Sequence, residues 1–443
     1  MEQDLTTGSV FKRIVYFSLP YLLSYFLQTL YGMADLFITG QFYGVDTITA
    51  VSNGSQIMHM MTVIIVGLAM GTTVTIGHSV GAKCMEQAEK IIGNTITLFM
   101  GIAVAFTVIL VVLVKPIVVL IATPQEAVAG TSIYLLICFI GIPFITAYNI
   151  ISSIFRGLGD SKSPMYFIGI ACVMNIALDY LFMGAFHMGA AGAALGTVCA
   201  QTFSVLVTLW VIRRRKTGIS LKKSDFKIER AVIGQVLKIG IPVALQDGFI
   251  QVAFMIITVI ANSRGVSDAA AVGVVEKVIS ALFIVPSSML ATVSALSAQN
   301  LGAGKEKRAT DTLRYATVIT TIYGMIVAVL IQFIAENVVG IFTSDTTVVT
   351  MGSAYIWDCI FAGIHFSFSG YFAACGKSYI GFLHNIISIT FVRVPGSYLA
   401  SKYFTDTLYP MGLAAPAGSL VSVAICVTAF ILLKRKSRVA QTA

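Results

Sequence analysis

Charge is scarce in this chain. Asp, Glu, Lys and Arg make up 11% of its 443 residues, against roughly 25% in a water-soluble domain. Together with 57% hydrophobic residues and a mean hydropathy of +0.88, that shortage excludes a soluble globular protein. Tryptophan is nearly absent, and the five histidines (His59, His78, His187, His365, His384) show no metal-ligand spacing. They are read as structural. Seven cysteines stand singly, most of them in apolar segments and none in a CxxC pair, which argues against disulfides and cysteine metal sites. No Walker A pattern, GxSxG elbow or HExxH stretch occurs. ATP-driven work by this chain alone and the common hydrolytic chemistries therefore lack support, and no enzyme is expected. The N-terminal MEQDLTTGSVFKR lacks the features of a signal peptide, so the first apolar run is expected to direct insertion.

What the chain has is apolar length. Runs fall at 14–39, 51–78, 91–114, 130–152, 164–184, 189–212, 236–261, 270–297, 313–335, 350–373, 379–401 and 411–433. At about 20 residues per crossing this is room for twelve spans. None shows the alternation of a barrel strand, so helices are expected. The formal net charge of +9 suggests no nucleic acid, because the charge sits in loops and reports topology. With the N-terminus cytoplasmic, 24 of the 29 basic residues fall inside, three outside and two, Lys277 and Arg393, within spans. That asymmetry predicts an inner (cell) membrane protein with both termini cytoplasmic.

The one long polar run is RRRKTGISLKKSDFKIER at 213–230. It is read as a solvated connection between lobes, with contact to anionic lipid as the lesser reading. The expected domains are 1–215, a six-helix lobe; 216–235, the cytoplasmic linker; and 236–443, a second six-helix lobe with a basic tail. The halves repeat each other. LP at 19–20 answers IP at 241–242, VGAKCMEQAEK at 80–90 answers LGAGKEKRATD at 301–311, FRGLGDS at 155–161 answers FAACGKS at 372–378, and MGAAGAA at 188–194 answers MGLAAPA at 411–417. The offset between partners is nearly the same in all four pairs. Six spans per half make these parallel repeats about a pseudo-two-fold axis along the membrane normal, with a cleft expected between two bundles.

Into this apolar frame a few polar residues are set. Asn175 and Asp179 lie four apart in MYFIGIACVMNIALDYLFM (165–183), hence on one helix face. An acid at mid-bilayer costs about 2.5–3.5 kcal/mol on the insertion scale, so a compensating function is the default reading. Asp35 in the first run and Thr197 in the sixth fall in the same layer, roughly 6–14 Å below the outer surface at 1.5 Å per residue. Two carboxylates, an amide and a hydroxyl suit Na⁺ or a shared proton. No other metal and no cofactor are expected. In the second half, Asp247, Glu276 and Asp358 are candidates to line a substrate cleft, and with Lys277 and Arg393 nearby structural ion pairs are an equal reading. Of the prolines that interrupt runs (Pro20, Pro143, Pro242, Pro286, Pro395), Pro20 is the hinge candidate and the others are read as static kinks.

The order and spacing of LP at 19–20, YGMADLFITG, the GAK and GAGK loops, FRGLGDSKSP and NIALDYLF resemble the MATE (multidrug and toxic compound extrusion) family, in its DinF-like and MepA-like prokaryotic branch. The resemblance covers Phe11 to Lys436. It implies an all-α polytopic membrane fold of the MATE/MOP type, with twelve transmembrane helices in two six-helix bundles, and secondary export by alternating access. It also implies a cation site at Asp35, Asn175, Asp179 and Thr197, and bending of the first helix at Pro20. Other branches place essential acids in the second lobe, where Lys277 and Arg393 depart from the pattern. The function expected is Na⁺- or H⁺-coupled antiport of small amphipathic, cationic or aromatic organic compounds by a monomer among membrane lipids. The alternatives are a lipid-linked oligosaccharide flippase or a metabolite exporter of the same superfamily. An intramembrane enzyme would need a nucleophile with its base, or metal ligands, at one depth. A passive channel would conduct without a coupling gradient.

Overall fold

A computed structural model of the chain describes residues 4–214, 220–340 and 354–442. Part of the polar linker, 215–219, and the start of the tenth apolar run, 350–353, lie outside the described residues. Among the described residues all regular structure is helical, as a bilayer requires of a chain that closes no barrel. The first half holds α1 (Val10–Phe42), α2 (Val45–Gly81), α3 (Met85–Leu120), α4 (Val128–Ile140), α5 (Ile142–Gly157), α6 (Lys162–Asp179) and α7 (Gly189–Arg214). The second holds α8 (Arg230–Asn262), α9 (Val266–Leu282), α10 (Ile284–Gly302), α11 (Glu306–Gly340), α12 (Asp358–Ala374), α13 (Ser378–Ser388), α14 (Val394–Tyr403) and α15 (Tyr409–Thr442).

Several apolar runs are broken rods. Gly141 ends α4 and Pro143 sits in the first turn of α5, so the axis turns by 52°. Proline supplies no N–H, which is harmless in a first turn and breaks a helix elsewhere. Pro286 and Pro395 likewise stand in the first turns of α10 and α14. Two further breaks are π turns, Tyr180–Ala185 after α6 and Ile389–Arg393 between α13 and α14. Joined across these breaks, the described helices make six rods before the linker and six after it. By length and hydropathy alone, eight helices among the described residues qualify as spans, or nine with the bent α4–α5 pair.

The duplication is written into the backbone. Lys83 and Gly304, at matching places in the GAK and GAGK loops, both take left-handed conformations at the ends of α2 and α10, with φ of 61° and 71°. Each is followed by the same reach back, Cys84 N–H to Ser79 O at 2.9 Å and Lys305 N–H to Asn300 O at 2.8 Å. Gly159 and Gly376 repeat the pattern after α5 and α12, through Asp160 to Phe155 and Lys377 to Phe372. These are helix stops in which the left-handed residue lets the next N–H satisfy a terminal carbonyl. The loop motifs that recur in the sequence are therefore recurring caps.

The chain forms two compact units, one of Met1–Leu5 with Leu19–Gly240 and the other of Thr6–Ser18 with Ile241–Ala443. This differs from the contiguous partition at 215 and 236. The start of α8 belongs to the first unit because glycines admit it. A Cβ on Gly71 would strike the Val236 carbonyl, and one on Gly240 would strike that of Leu68. The segment Thr6–Ser18 belongs to the second unit because Lys305 and Arg308 hold its carbonyls, with Nζ 2.8 Å from Thr6 O, Nη1 2.6 Å from Gly8 O and Nη2 2.8 Å from Thr7 O. Both exchanges begin one residue before a proline, Pro20 in α1 and Pro242 in α8.

The linker is less solvated than its composition implies. Residues 220–229 fold back on α3, where buried Asn94 donates to Asp225 O at 3.0 Å and accepts from Glu229 N–H at 2.6 Å. Thr97 donates to Phe226 O, and Glu89 accepts from Ser220 N–H. Most of its charged side chains stay exposed while the backbone finds partners, so a polar run becomes a docked strap.

Candidate functional site

The four residues singled out in the first half come together. Asp35 stands on α1, Asn175 and Asp179 one turn apart at the end of α6, and Thr197 on α7. All are buried, Asp35 to 3% exposure and both Asn175 and Asp179 to 0%. The Thr197 hydroxyl donates to Asp35 Oδ2 and the Asn175 amide to Asp179 Oδ1, each at 3.4 Å. The two carboxyl groups are close enough to interact electrostatically. Three oxygens, Asp35 Oδ1, Asn175 Oδ1 and Asp179 Oδ2, are buried with no hydrogen-bond partner among the described residues.

Such a group is expensive to hold. A buried polar atom without a partner costs about 1–3 kcal/mol, and a buried carboxylate without a counter-charge costs more. Ion pairs among the described residues include Lys90–Glu229, Arg264–Asp268 and Arg393–Asp358. None reaches Asp35 or Asp179. The arrangement is therefore an all-oxygen donor set with surplus negative charge, of a kind that a small hard cation or a proton neutralises.

Two features that position the site carry little sequence signal. Gly196, one residue before Thr197, packs directly on Asp179, and a Cβ there would collide with Oδ1. Its place in AAGAALGT reads only as one small residue among several. The π turn Tyr180–Ala185 begins immediately after Asp179, and such turns recur at functional sites within helices. Beside the turn, Thr39 donates to Asp35 O at 2.6 Å and lies against Met183, which packs with Ile38 and Val51 in an apolar core.

The second-half candidates do not form one cluster. Asp358 is fully buried and bonded to Arg393, Nη2 to Oδ2 at 2.6 Å, and the same nitrogen donates to Tyr355 OH at 3.2 Å. Glu276 accepts from Thr258 at 3.3 Å. Asp247 is half-buried on α8, with neither a hydrogen bond nor an ion pair to it among the described residues. Lys277 is exposed. Of the two readings open for these residues, Asp358 takes the structural ion pair, since its carboxylate is held by a neighbouring guanidinium. Pro20 lies inside an α1 that stays helical from Val10 to Phe42.

A duplicated set of six helical rods with buried, uncompensated carboxylates in one half defines a polytopic membrane protein of the transporter class. The chain belongs to the MatE family, whose model matches residues 20–181 and 242–399, two stretches that open at the paired prolines. It is 30% identical over 415 residues to the probable multidrug resistance protein YpnP of Bacillus subtilis (strain 168), covering 93% of both chains. It is 23% identical over 374 residues to the multidrug export protein MepA of Staphylococcus aureus, covering 83% of this chain and 82% of that one. Among solved structures, a multidrug resistance MATE family transporter in its outward-facing conformation superposes with a TM-score of 0.91 at 21% identity, over 99% of this chain and 98% of that one. A MATE protein crystallised with MaL6 also reaches 0.91, at 20% identity and 99% coverage of each. The family is one of transporters and its members are integral multi-pass membrane proteins.

Proposed function

We propose that the protein is a cation-coupled exporter of small amphipathic organic compounds, resident in a prokaryotic inner membrane with both termini cytoplasmic. Asp35 and Asp179, assisted by Asn175 and Thr197, bind the coupling ion, Na⁺ or H⁺. One observation carries the reading: two carboxyl groups face each other at near-zero exposure with three unpartnered oxygens around them and no fixed cation within ion-pair distance among the described residues. The names of the relatives, multidrug resistance and multidrug export proteins, support organic compounds as cargo.

Coupling requires that the ion bind the two transport states unequally. An ion arriving between α1, α6 and α7 ties Asp35 to Asp179 and so favours the arrangement of α1 in which both reach it. Substrate release follows when that arrangement has the lower substrate affinity. Efflux from proteoliposomes under separately imposed sodium and proton gradients tests the reading. One gradient is expected to drive exchange, and Asp35→Asn and Asp179→Asn are each expected to abolish the driven component. Full gradient-driven efflux by both variants rejects the assignment.

A further inference from the structure

The second half contains the counterpart of the first-half site, built with opposite logic. Gly196 and Gly418 stand at the same offset as Leu19 and Ile241 of the LP and IP pairs, and Thr197 corresponds in the same way to Ser419. The two glycines do the same job. As Gly196 makes room for Asp179, Gly418 makes room for Ser388 and Arg393, since a Cβ there would come 2.8 Å from Ser388 Oγ and 3.1 Å from Arg393 Cγ. Asp179 and Ser388 each end a helix that passes into a π turn. One turn earlier stand Asn175 and His384. Asp35 corresponds, again at the offset of the LP and IP pairs, to Ile257, which is buried among apolar neighbours. On the adjoining rods, Tyr134 and Cys138 correspond to Tyr355 and Cys359, at the offset of the GAK and GAGK loops.

Both acids of the first-half site are therefore replaced, by isoleucine and serine. At the second-half counterpart of the site the charge comes instead from Asp358 and Arg393. Asp358 falls where the first half has Ile137, and Arg393 closes the second π turn. These two form the one ion pair among the described residues with both members buried, at 0% and 8% exposure. The guanidinium also lies 5.9 Å from the Phe254 ring centroid. The charge balance is opposite in the two halves: two facing carboxyls without a fixed cation in the first, one carboxylate with a covalently supplied cation in the second. Asp358 Oδ1 and Arg393 Nε are buried with no hydrogen-bond partner among the described residues, so the clamp occupies only one carboxylate oxygen. The other groups around it, Tyr355, Cys359 and Ser419, are neutral hydrogen-bonding side chains, and Glu276 is engaged by Thr258.

We propose that Arg393 is a built-in cation that keeps Asp358 permanently compensated, confining ion exchange to the first half, and that Asp358 is a latent site for a small monovalent cation which opens when the guanidinium is removed. The inference rests on the reading of Asp35 and Asp179 as the ion site. A buried pair is costly to break, because the remaining charge must find a partner. In the native chain that partner cannot leave, and in a variant lacking it the partner must come from solution.

The test is binding of Na⁺ and uptake of protons by the purified full-length chain in proteoliposomes. Asp35→Asn/Asp179→Asn is expected to lose saturable cation binding. Adding Arg393→Gln is expected to restore it, and adding Asp358→Asn as well to abolish it again. Arg393→Lys, which keeps the charge, is expected to restore nothing. A monodisperse Arg393→Gln protein that regains no binding overturns the proposal, as does restored binding that survives Asp358→Asn. Should the unpaired Asp358 prevent folding, the neutral pair Asp358→Asn/Arg393→Gln in the otherwise native chain provides the decision: one cation per protein supports the proposal, and loss of that single ion overturns it. Retention of cation binding by Asp35→Asn/Asp179→Asn alone rejects the first-half assignment, and is read independently of the Arg393 comparison.

Discussion

Gly196 lies against Oδ1 of Asp179 so closely that no other residue fits without moving the carboxylate. A residue with no side chain thus sets the shape of the proposed ion site. Gly196→Ala is expected to fold, at an overpacking cost of about 1–3 kcal/mol, and to lower cation affinity by tenfold or more as Asp179 turns away from Asp35. Cation titration of gradient-driven efflux checks this, and an unchanged affinity would show that Asp179 has another equivalent rotamer.

Thr197 contributes a neutral hydroxyl to Asp35, at the long distance of 3.4 Å. Its loss should cost about 0.5–1.5 kcal/mol of ion binding, typical of one such bond, or roughly a few-fold to tenfold in affinity. Thr197→Val is the test because it keeps the volume, and Thr197→Ser should behave as the native protein.

If Asp35 and Asp179 bind the ion as proposed, a proton and Na⁺ compete for the same oxygens, so acidification is expected to weaken Na⁺ binding and alkalinisation to strengthen it, until both carboxyls are ionised. The sign follows from a carboxylate having to be deprotonated to ligate a metal ion. Apparent Na⁺ affinity measured across a pH series decides, and a flat series would remove the carboxylates from the ligand set.

Asn94 bonds the strap 220–229 with both ends of its amide. Asn94→Ala leaves a buried carbonyl and an N–H to find other partners and should destabilise the protein by about 1–3 kcal/mol. Faster proteolytic cleavage within 220–229, with ion-driven efflux largely retained in the intact fraction, is the expected outcome.

Lys305 and Arg308 hold the carbonyls of Thr6, Thr7 and Gly8 at an exposed surface. Lys305→Ala/Arg308→Ala should cost less than about 1 kcal/mol overall, as exposed polar contacts do, while amide exchange across 6–11 accelerates locally. Unaltered exchange there would mean that other contacts anchor the segment.

The residues proposed to hold the coupling ion were legible because a membrane penalises polarity. Asp35, Asn175, Asp179 and Thr197 stand out by composition and share a depth fixed by helical rise, and the fold supplied the lateral closeness that spacing cannot give. What was hidden has a common cause. Gly196 and Gly418 act by lacking atoms, the π turns depend on how neighbouring rods pack, and the docking of a polar linker depends on Glu89, Asn94 and Thr97 far back along the chain, in α3. Asp358 follows the second of the two readings its surroundings allowed: it is buried against Arg393 as a structural ion pair, and only the packing of two rods shows which base is its partner.

The exchange of short segments at Leu19 and Ile241 bears on how the gene product can be divided. A polypeptide ending in the linker would carry a stub, Thr6–Ser18, native to the other piece and lack the opening turns of α8 that complete its own. Each fragment would leave a short segment without its native neighbours, and two fragments made together would each supply what the other is missing. Assembly of the twelve rods is in this sense a mutual act, in which the earliest helix to leave the ribosome waits for the later half before its leading end has a home.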